Sequence, residues 1–180
     1  MQNKYNSETL GLMPLPYSIY KASKNDLDAV AKIEHALFGH HGYPAFFFRQ
    51  AFDCWGSGFY VVKSDVEKSR ADEDHLSITV EQNEVLGYLL LAPSDEGVHK
   101  KAWILSVGVS ESAQGKGVGQ ALLKHACEQS AQYQQVFLTV DPDNIGACKL
   151  YESLGFELSH LEQNYFEAED SRLVMVFNNH

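Results

Sequence analysis

Between Trp103 and Gln129 a run of strong β-formers gives way to three alternate glycines and then to a helical stripe. Trp103 to Val109 reads as a strand. Val118, Ala121, Leu122, His125 and Gln129 then recur at i, i+3, i+4, i+7 and i+11 with polar residues between them, which predicts an amphipathic helix. The joint, Ser110-Glu111-Ser112-Ala113-Gln114-Gly115-Lys116-Gly117, is too short for anything but a tight loop. A strand feeding a helix in this way buries both only when the helix packs back on a sheet, so the chain is committed to an α/β layer architecture.

The flanking sequence supports that architecture. Tyr17–Lys21 is a short β-prone run, and Ser23 or Asn25 is placed to cap a helix whose apolar positions are Leu27, Val30, Ile33 or Glu34, and Leu37. Gly39 stops it. Phe46 to Phe52 predicts a second helix closed by Gly56 and Gly58, and Phe59–Val62 a strand. Residues 64–75 are rich in charge and nearly free of large apolar side chains, so they read as a polar loop inserted between strands. Ile78–Val80, Asn83 and Val85–Leu91 suggest a hairpin leading into a buried strand. After the glycine-rich unit come a strand at Val136–Val140 and a helix marked by Ala147, Leu150, Tyr151 and Leu154 and ended by Gly155. Strands at Glu157–Leu161 and Leu173–Phe177 close the chain around a polar turn, Glu167–Ser171. The expectation is a flexible arm over 1–15 and one α/β domain over 16–180, since neither flank of the polar insertion could bury a core alone.

Composition removes several classes of function. With 24 Asp and Glu against 14 Lys and Arg the 180 residues carry a net charge of −10, the wrong sign for holding nucleic acid phosphates. Hydrophobic residues at 44% supply enough apolar area to exclude a disordered chain. Cys54, Cys127 and Cys148 are too few and too scattered for a disulfide framework, and no apolar run is long enough to span a bilayer. Together these predict a cytoplasmic protein with no membrane partner.

The glycines are the first chemical clue. They permit positive φ and let a ligand approach the main chain, and the free N–H groups of the first helical turn favour an anion, most naturally a pyrophosphate. Lys116 adds a positive charge. The segment is neither a P-loop, because Gly117 follows the lysine where Ser or Thr is required, nor the GxGxxG of dinucleotide folds. By spacing alone it is equally a glycine-rich turn without a ligand.

Two further motifs decide between these readings. Gln114-Gly115-Lys116-Gly117-Val118-Gly119 resembles the Q/R-x-x-G-x-G/A signature of the GNAT acetyltransferase superfamily. Leu138-Thr139-Val140, Asn144 and Leu150-Tyr151-Glu152-Ser153-Leu154-Gly155-Phe156 resemble its second hallmark in the right order, and the second half is similar to ribosomal-protein alanine N-acetyltransferases, including Asn164-Tyr165-Phe166 before the last strand. The resemblance implies a mixed, mostly antiparallel sheet of six to seven strands with about four helices, splayed where Trp103–Val109 and Val136–Val140 diverge. It implies acetyl-CoA as cosubstrate, no metal, a primary amine as acceptor, direct attack, and a monomer or homodimer.

Site residues follow from the same resemblance. Val107, Gly108 and Val109 would pair with the pantetheine arm through their backbone. Gln114, Gly115, Lys116, Gly117, Val118, Gly119 and Gln120 would hold the pyrophosphate, and Asn144 would bond the pantetheine region. Tyr151 falls where the family places a phenol near the thioester sulfur, as general acid to the leaving thiolate. A phenol of pKa roughly 10 and a thiol of roughly 8.5 make full transfer uphill by about 2 kcal/mol in water.

One departure concerns the base. Similar enzymes carry Glu where this chain has Thr139, which accepts no proton at neutral pH. An α-amine near pKa 8 is about 10% neutral at pH 7 and a lysine-like amine only about 0.04%, so losing the base costs roughly 1.4 against 4.6 kcal/mol. The low-pKa amine is the easier acceptor. Glu34, Glu81 and Asp141 are candidate substitutes, each equally readable as a solvated surface charge. A polyamine, amino-sugar or amino-acid acetyltransferase and a non-catalytic acyl-CoA sensor are the rival readings. His35, His40, His41 and Cys54 fit no zinc spacing. Cys148 reads as a packing thiol, the Phe46–Phe48 run with Phe52 and Trp55 as core or acceptor wall, and Tyr165 as acceptor wall or sheet cap.

Overall fold

The computed structural model describes residues 17–65, 84–94 and 100–179. The predicted arm over 1–15, the hairpin strand Ile78–Val80 with Asn83, Glu81 and most of the polar insertion lie outside the described residues. Seven strands and four helices follow in the order β1 (Tyr17–Lys21), α1 (Leu27–Phe38), α2 (Ala45–Trp55), β2 (Phe59–Ser64), β3 (Val85–Ser94), β4 (Lys101–Val109), α3 (Val118–Glu128), β5 (Gln135–Val140), α4 (Ile145–Ser153), β6 (Glu157–Glu162) and β7 (Arg172–Asn178). The sheet runs β1-β2-β3-β4-β5-β7-β6, and every neighbouring pair is antiparallel except β4 with β5. This is the mixed, mostly antiparallel sheet that the resemblance implies.

Both faces of the sheet are covered, which is why the central strands carry long apolar runs. Leu27, Val30, Ile33, Phe48 and Ala51 of α1 and α2 pack on Phe59, Val61, Tyr88 and Leu90. On the opposite face Val118, Leu122, Leu123 and Tyr151 of α3 and α4 pack on Tyr60, Val62, Leu89, Ile104 and Leu138. The alternation of β2, Phe59 and Val61 to one side and Tyr60 and Val62 to the other, is the period of a pleated strand.

The start of α1 differs from expectation in a way that has a physical cause. A single 3-10 turn at Lys24–Asp26 precedes the helix, so Ser23 caps that turn in a capping box with Asp26, and Asp26 is the residue that leads into α1. Its buried carboxylate accepts the backbone N–H and hydroxyl of Ser23 at 2.8 Å each and faces Lys63 Nζ at 2.7 Å. Burial pushes this carboxyl up, but the bonds from Lys63 and Ser23 outweigh it and hold the group below the ordinary carboxylate range. A folded-state pKa below the unfolded one gives stability that is complete above the unfolded value and is lost as pH falls through the folded one. Asp26→Asn is therefore expected to cost about 2 kcal/mol at neutral pH in denaturant melts. The gap should close towards about pH 2, below the ordinary aspartate value; a gap that stays constant in acid would assign the cost to packing instead.

Two irregularities shape the centre of the sheet. β4 pairs with β5 only at Lys101–Trp103 against Gln135–Phe137, and beyond the stacked rings of Trp103 and Phe137 the strands separate. On its other edge β4 shifts register against β3: Leu90 faces Ser106 while Leu91 faces Ile104, which leaves Leu105 as the extra residue of a bulge. The strands thus form a fork with its mouth towards Val109.

Candidate active site

A cavity of about 840 Å³ fills the fork. The diverging halves of the two strands line it, Ile104–Val107 from β4 and Leu138–Val140 from β5, with Asp141 just beyond. Asn144, Ala147 and Tyr151 of the β5–α4 segment close one side. Glu34, Leu37, Phe38, His41 and Tyr43 of α1 and the following loop close another, with Phe166–Asp170 and Arg172 of the β6–β7 segment facing them. His41 Nδ1 meets Glu167 Oε1 at 3.5 Å where the two loops approach.

Tyr151 is buried at 8% exposure, in ring contact with Phe156, and its hydroxyl has no hydrogen-bonding partner among the described residues. Burial first, then the nearby Cys148, pushes the phenol up to about 12. Cys148 is half-buried, packed against the α3–α4 face of the core, and its Sγ lies 3.8 Å from the Asp141 carbonyl. Asn144 caps α4, its Oδ1 accepting Ala147 N–H at 3.0 Å, so its amide nitrogen is left to donate. Arg172 links Asp141 of the β5–α4 turn, at 3.4 Å, to Asp170 at 2.8 Å, and its guanidinium lies over the Phe166 ring.

The glycine-rich loop lies outside the cavity lining, at the end of β4. Gly115 and Gly117 take φ of +72° and +81°, conformations that a Cβ strains, and Gly117 caps α3. The N–H groups at the start of α3 thus follow the end of β4 by a short loop, with the helix dipole behind them. Gln114 braces the loop by donating to the Val109 carbonyl at 3.2 Å, and Lys116 donates to the Ser112 carbonyl at 2.7 Å. Val118 turns its side chain into the core at 1% exposure. A Cβ on the following Gly119 would meet only the side chains of Val109 and Leu150, at ordinary contact distance.

Glu34 departs from its reading as a surface charge, while Gly108 and the phenylalanine run take defined places. Gly108 faces the α1–α2 side of the sheet, opposite Tyr88 in the β3–β4 register, and a Cβ there would sit 2.6 Å from the Tyr88 ring. Its smallness makes room for that ring. Glu34 is not a solvated surface charge: it is 2% exposed, because it lies on the buried stripe of α1 with Leu27 and Val30. Its Oε1 accepts the Tyr43 N–H at 2.8 Å, and its Oε2 accepts the Tyr88 hydroxyl and, at 3.0 Å, Ser106 Oγ. Of the phenylalanine run, Phe48 is core, Phe47 stacks on Tyr43, and Phe46 is exposed; none of the three lines the cavity. Phe166 lines it and Tyr165 packs edge-on against Phe166. Asp141 does line the cavity, where Arg172 engages it. Tyr88, Ser106 and Arg172 carry no motif. The one signal for their cluster is the acidic residue on the apolar stripe of α1.

Among the described residues no group of three or more His, Cys, Asp or Glu side chains is placed to hold a metal ion. No described helix is long and apolar enough to cross a membrane.

Comparison with known proteins places this arrangement in a class. The sequence profile of the Acetyltransferase (GNAT) family matches residues 30–156, and the chain belongs to that family and is an acetyltransferase. It is 27% identical over 172 residues to an N-alpha-acetyltransferase of Sulfurisphaera tokodaii, a match covering 88% of this chain and 91% of the relative. It is 29% identical over 106 residues to the [Ribosomal protein bS18]-alanine N-acetyltransferase of Escherichia coli, covering 58% and 70% of the two chains. In fold it is similar to Ard1 from Thermoplasma volcanium, with a TM-score of 0.72 at 21% identity over 90% of this chain and 97% of that one. It is also similar to a chain of the NatC complex bound to Gag peptide and CoA, with a TM-score of 0.73 at 16% identity over 91% and 98%.

Proposed function

We propose that the protein moves an acetyl group from acetyl-CoA to the α-amine of a peptide or protein N-terminus, with Tyr151 assisting the departing thiolate. The observation that carries this reading is the fork: the diverging strand edges, Asn144 and Tyr151 line one 840 Å³ space, and the α3 N-terminus follows the end of β4 outside that lining. The acceptor side is walled by two loops that approach at His41 and Glu167, and the Sulfurisphaera tokodaii relative, matched over most of both chains, is an N-alpha-acetyltransferase.

Acetyl-CoA supplies an acetyl group already activated as a thioester. The backbone of Val107 and Val109 would hold its pantetheine arm as an added strand would be held, the Asn144 amide would donate to the same arm, and the N–H groups of Gly115 to Gln120 would take the pyrophosphate. Placing amine and thioester together then accounts for much of the acceleration. Tyr151 acts as a hydrogen-bond donor more than as a full acid. With its phenol at about 12 against a thiol near 8.5, complete transfer is uphill by about 5 kcal/mol. A donated hydrogen bond stabilises the thiolate without that cost.

Product mass spectrometry after incubation with acetyl-CoA and a panel of Ala- and Ser-started peptides, polyamines, amino acids and amino sugars tests the reading. The expected result is a mass gain of about 42 Da on peptide α-amines, which are the amines most often neutral at pH 7. Acetylation confined to polyamines or amino sugars would replace the acceptor class. Acetyl-CoA binding with no product on any amine would favour the sensor reading that Thr139 raises.

A further inference from the structure

We infer that the Glu34 carboxylate, reached through the Ser106 hydroxyl, is where the acceptor's ammonium is drawn and gives up its proton. The inference rests on the amine acceptor proposed above and supplies the base that Thr139 cannot.

Glu34 is a buried carboxylate that borders the cavity and has no cation of its own among the described residues. Neutral donors alone hold it: the Tyr43 N–H from the α1–α2 loop, the Tyr88 hydroxyl from β3 and the Ser106 hydroxyl from β4. Among the described residues no lysine, arginine or histidine forms an ion pair with it. The other charges around the cavity are differently placed. Asp141 and Asp170 share Arg172, Glu167 faces His41, and Glu169 sits on the exposed β6–β7 loop. A buried anion without a counter-charge is costly, and a cation entering beside it relieves that cost. An ammonium acceptor is such a cation.

The hydroxyl of Ser106 links carboxylate and cavity. It lies 3.0 Å from Glu34 Oε2 and 2.9 Å from the Tyr88 hydroxyl, and Ser106 itself lines the cavity. A serine hydroxyl has one proton and two lone pairs, so it can accept from an ammonium while donating to a carboxylate. In the proton movement one ammonium N–H bond breaks as a Ser106 O–H bond forms, and the original Ser106 O–H proton passes to Glu34 Oε2. The nitrogen keeps the electron pair with which it attacks, and Glu34 becomes neutral. Tyr88 cannot take the proton's place in this chain: burial and then the charge of Glu34 push its phenol up, so it remains a donor. The Tyr43 phenol, raised by burial and then by Tyr165 and Glu34, is also protonated throughout the working range.

The test compares pH profiles of kcat/KM for the best acceptor amine. Glu34→Gln retains the size and an acceptor for Tyr43. It is expected to lower kcat/KM about 100-fold at pH 7, the range of a lost general base, with KM for acetyl-CoA unchanged within about twofold. The deficit should shrink as pH rises past the amine's own pKa, near 8 for an α-amine, because the neutral amine then arrives unaided. Ser106→Ala, a small change that leaves Tyr43 and Tyr88 on Glu34, should show the same pH-dependent deficit and decides the matter alone if Glu34→Gln does not fold. A deficit constant from about pH 6 to 10, or a wild-type profile for Ser106→Ala, would overturn the inference, as would transfer of the pH dependence to His41→Gln. A wild-type enzyme silent towards every α-amine would instead overturn the acceptor reading, and the same profiles would then be run on the amine it does acetylate.

Discussion

Tyr151→Phe is expected to lower kcat about 100-fold while leaving KM for acetyl-CoA within about twofold. Phenylalanine fills the same space beside Phe156, so the packing of α4 survives and only the hydroxyl is lost. That hydroxyl has no protein partner among the described residues, which means its removal orphans nothing in the core. Steady-state kinetics across pH adds a second check. Because burial holds the phenol at about 12, the ratio of wild-type to variant rates should stay level through about pH 10. An ordinary phenol would be half ionised there and the ratio would fall. A variant as fast as wild type would remove Tyr151 from the chemistry.

The second large effect concerns stability. Gly108→Ala is expected to cost about 3 kcal/mol in chemical denaturation, because the new Cβ would lie 2.6 Å from Tyr88 Cε1 and 3.0 Å from Leu37 Cδ1. Tyr88 is fully buried and cannot swing aside. Any shift of its ring also disturbs the hydroxyl that Glu34 accepts. Gly115→Ala is the informative control: it has positive φ but open space, so its cost should be nearer about 1 kcal/mol. Tyr88→Ala should offset part of the Gly108→Ala penalty in a double-mutant cycle, since it removes the colliding ring. A neutral Gly108→Ala would show that the strand yields at this point and that the glycine serves something other than Tyr88.

The parts of this protein that can be read in its sequence are those where backbone conformation dictates residue type. Gly115 and Gly117 announce the loop because few other residues take their φ, and Gly39 and Gly155 mark helix ends for the same reason. The periodic helices and the alternating or continuous apolar strands follow from burial. Side-chain clusters assembled across distant segments cannot be read in the same way. Glu34, Tyr88 and Ser106 meet from three elements separated by up to 72 positions, and nothing in any one segment requires the others. Arg172 is similar, since its partners Asp141 and Asp170 belong to different turns. Gly108 is a third case: the sequence offers it only as backbone on β4, and its need for smallness appears once Tyr88 is seen opposite it.

The fork also bears on how the sheet is held together. Among the described residues, three register pairs, the Trp103–Phe137 stack, Lys101 over the Phe137 ring and the Gln134 N–H donated to the Lys100 carbonyl make up the strand-to-strand junction between the four strands on one side and the three on the other. The α3–α4 core packs across it. The sheet is in effect two leaves stitched along a short seam, and the long open margin above the stitches has backbone groups with no strand to satisfy them. Whatever lies along that margin and bonds to both leaves acts as a removable eighth strand. A ligand held there at free concentration c would stabilise the joined leaves by RT ln(1 + c/Kd), so their cohesion would rise with its concentration.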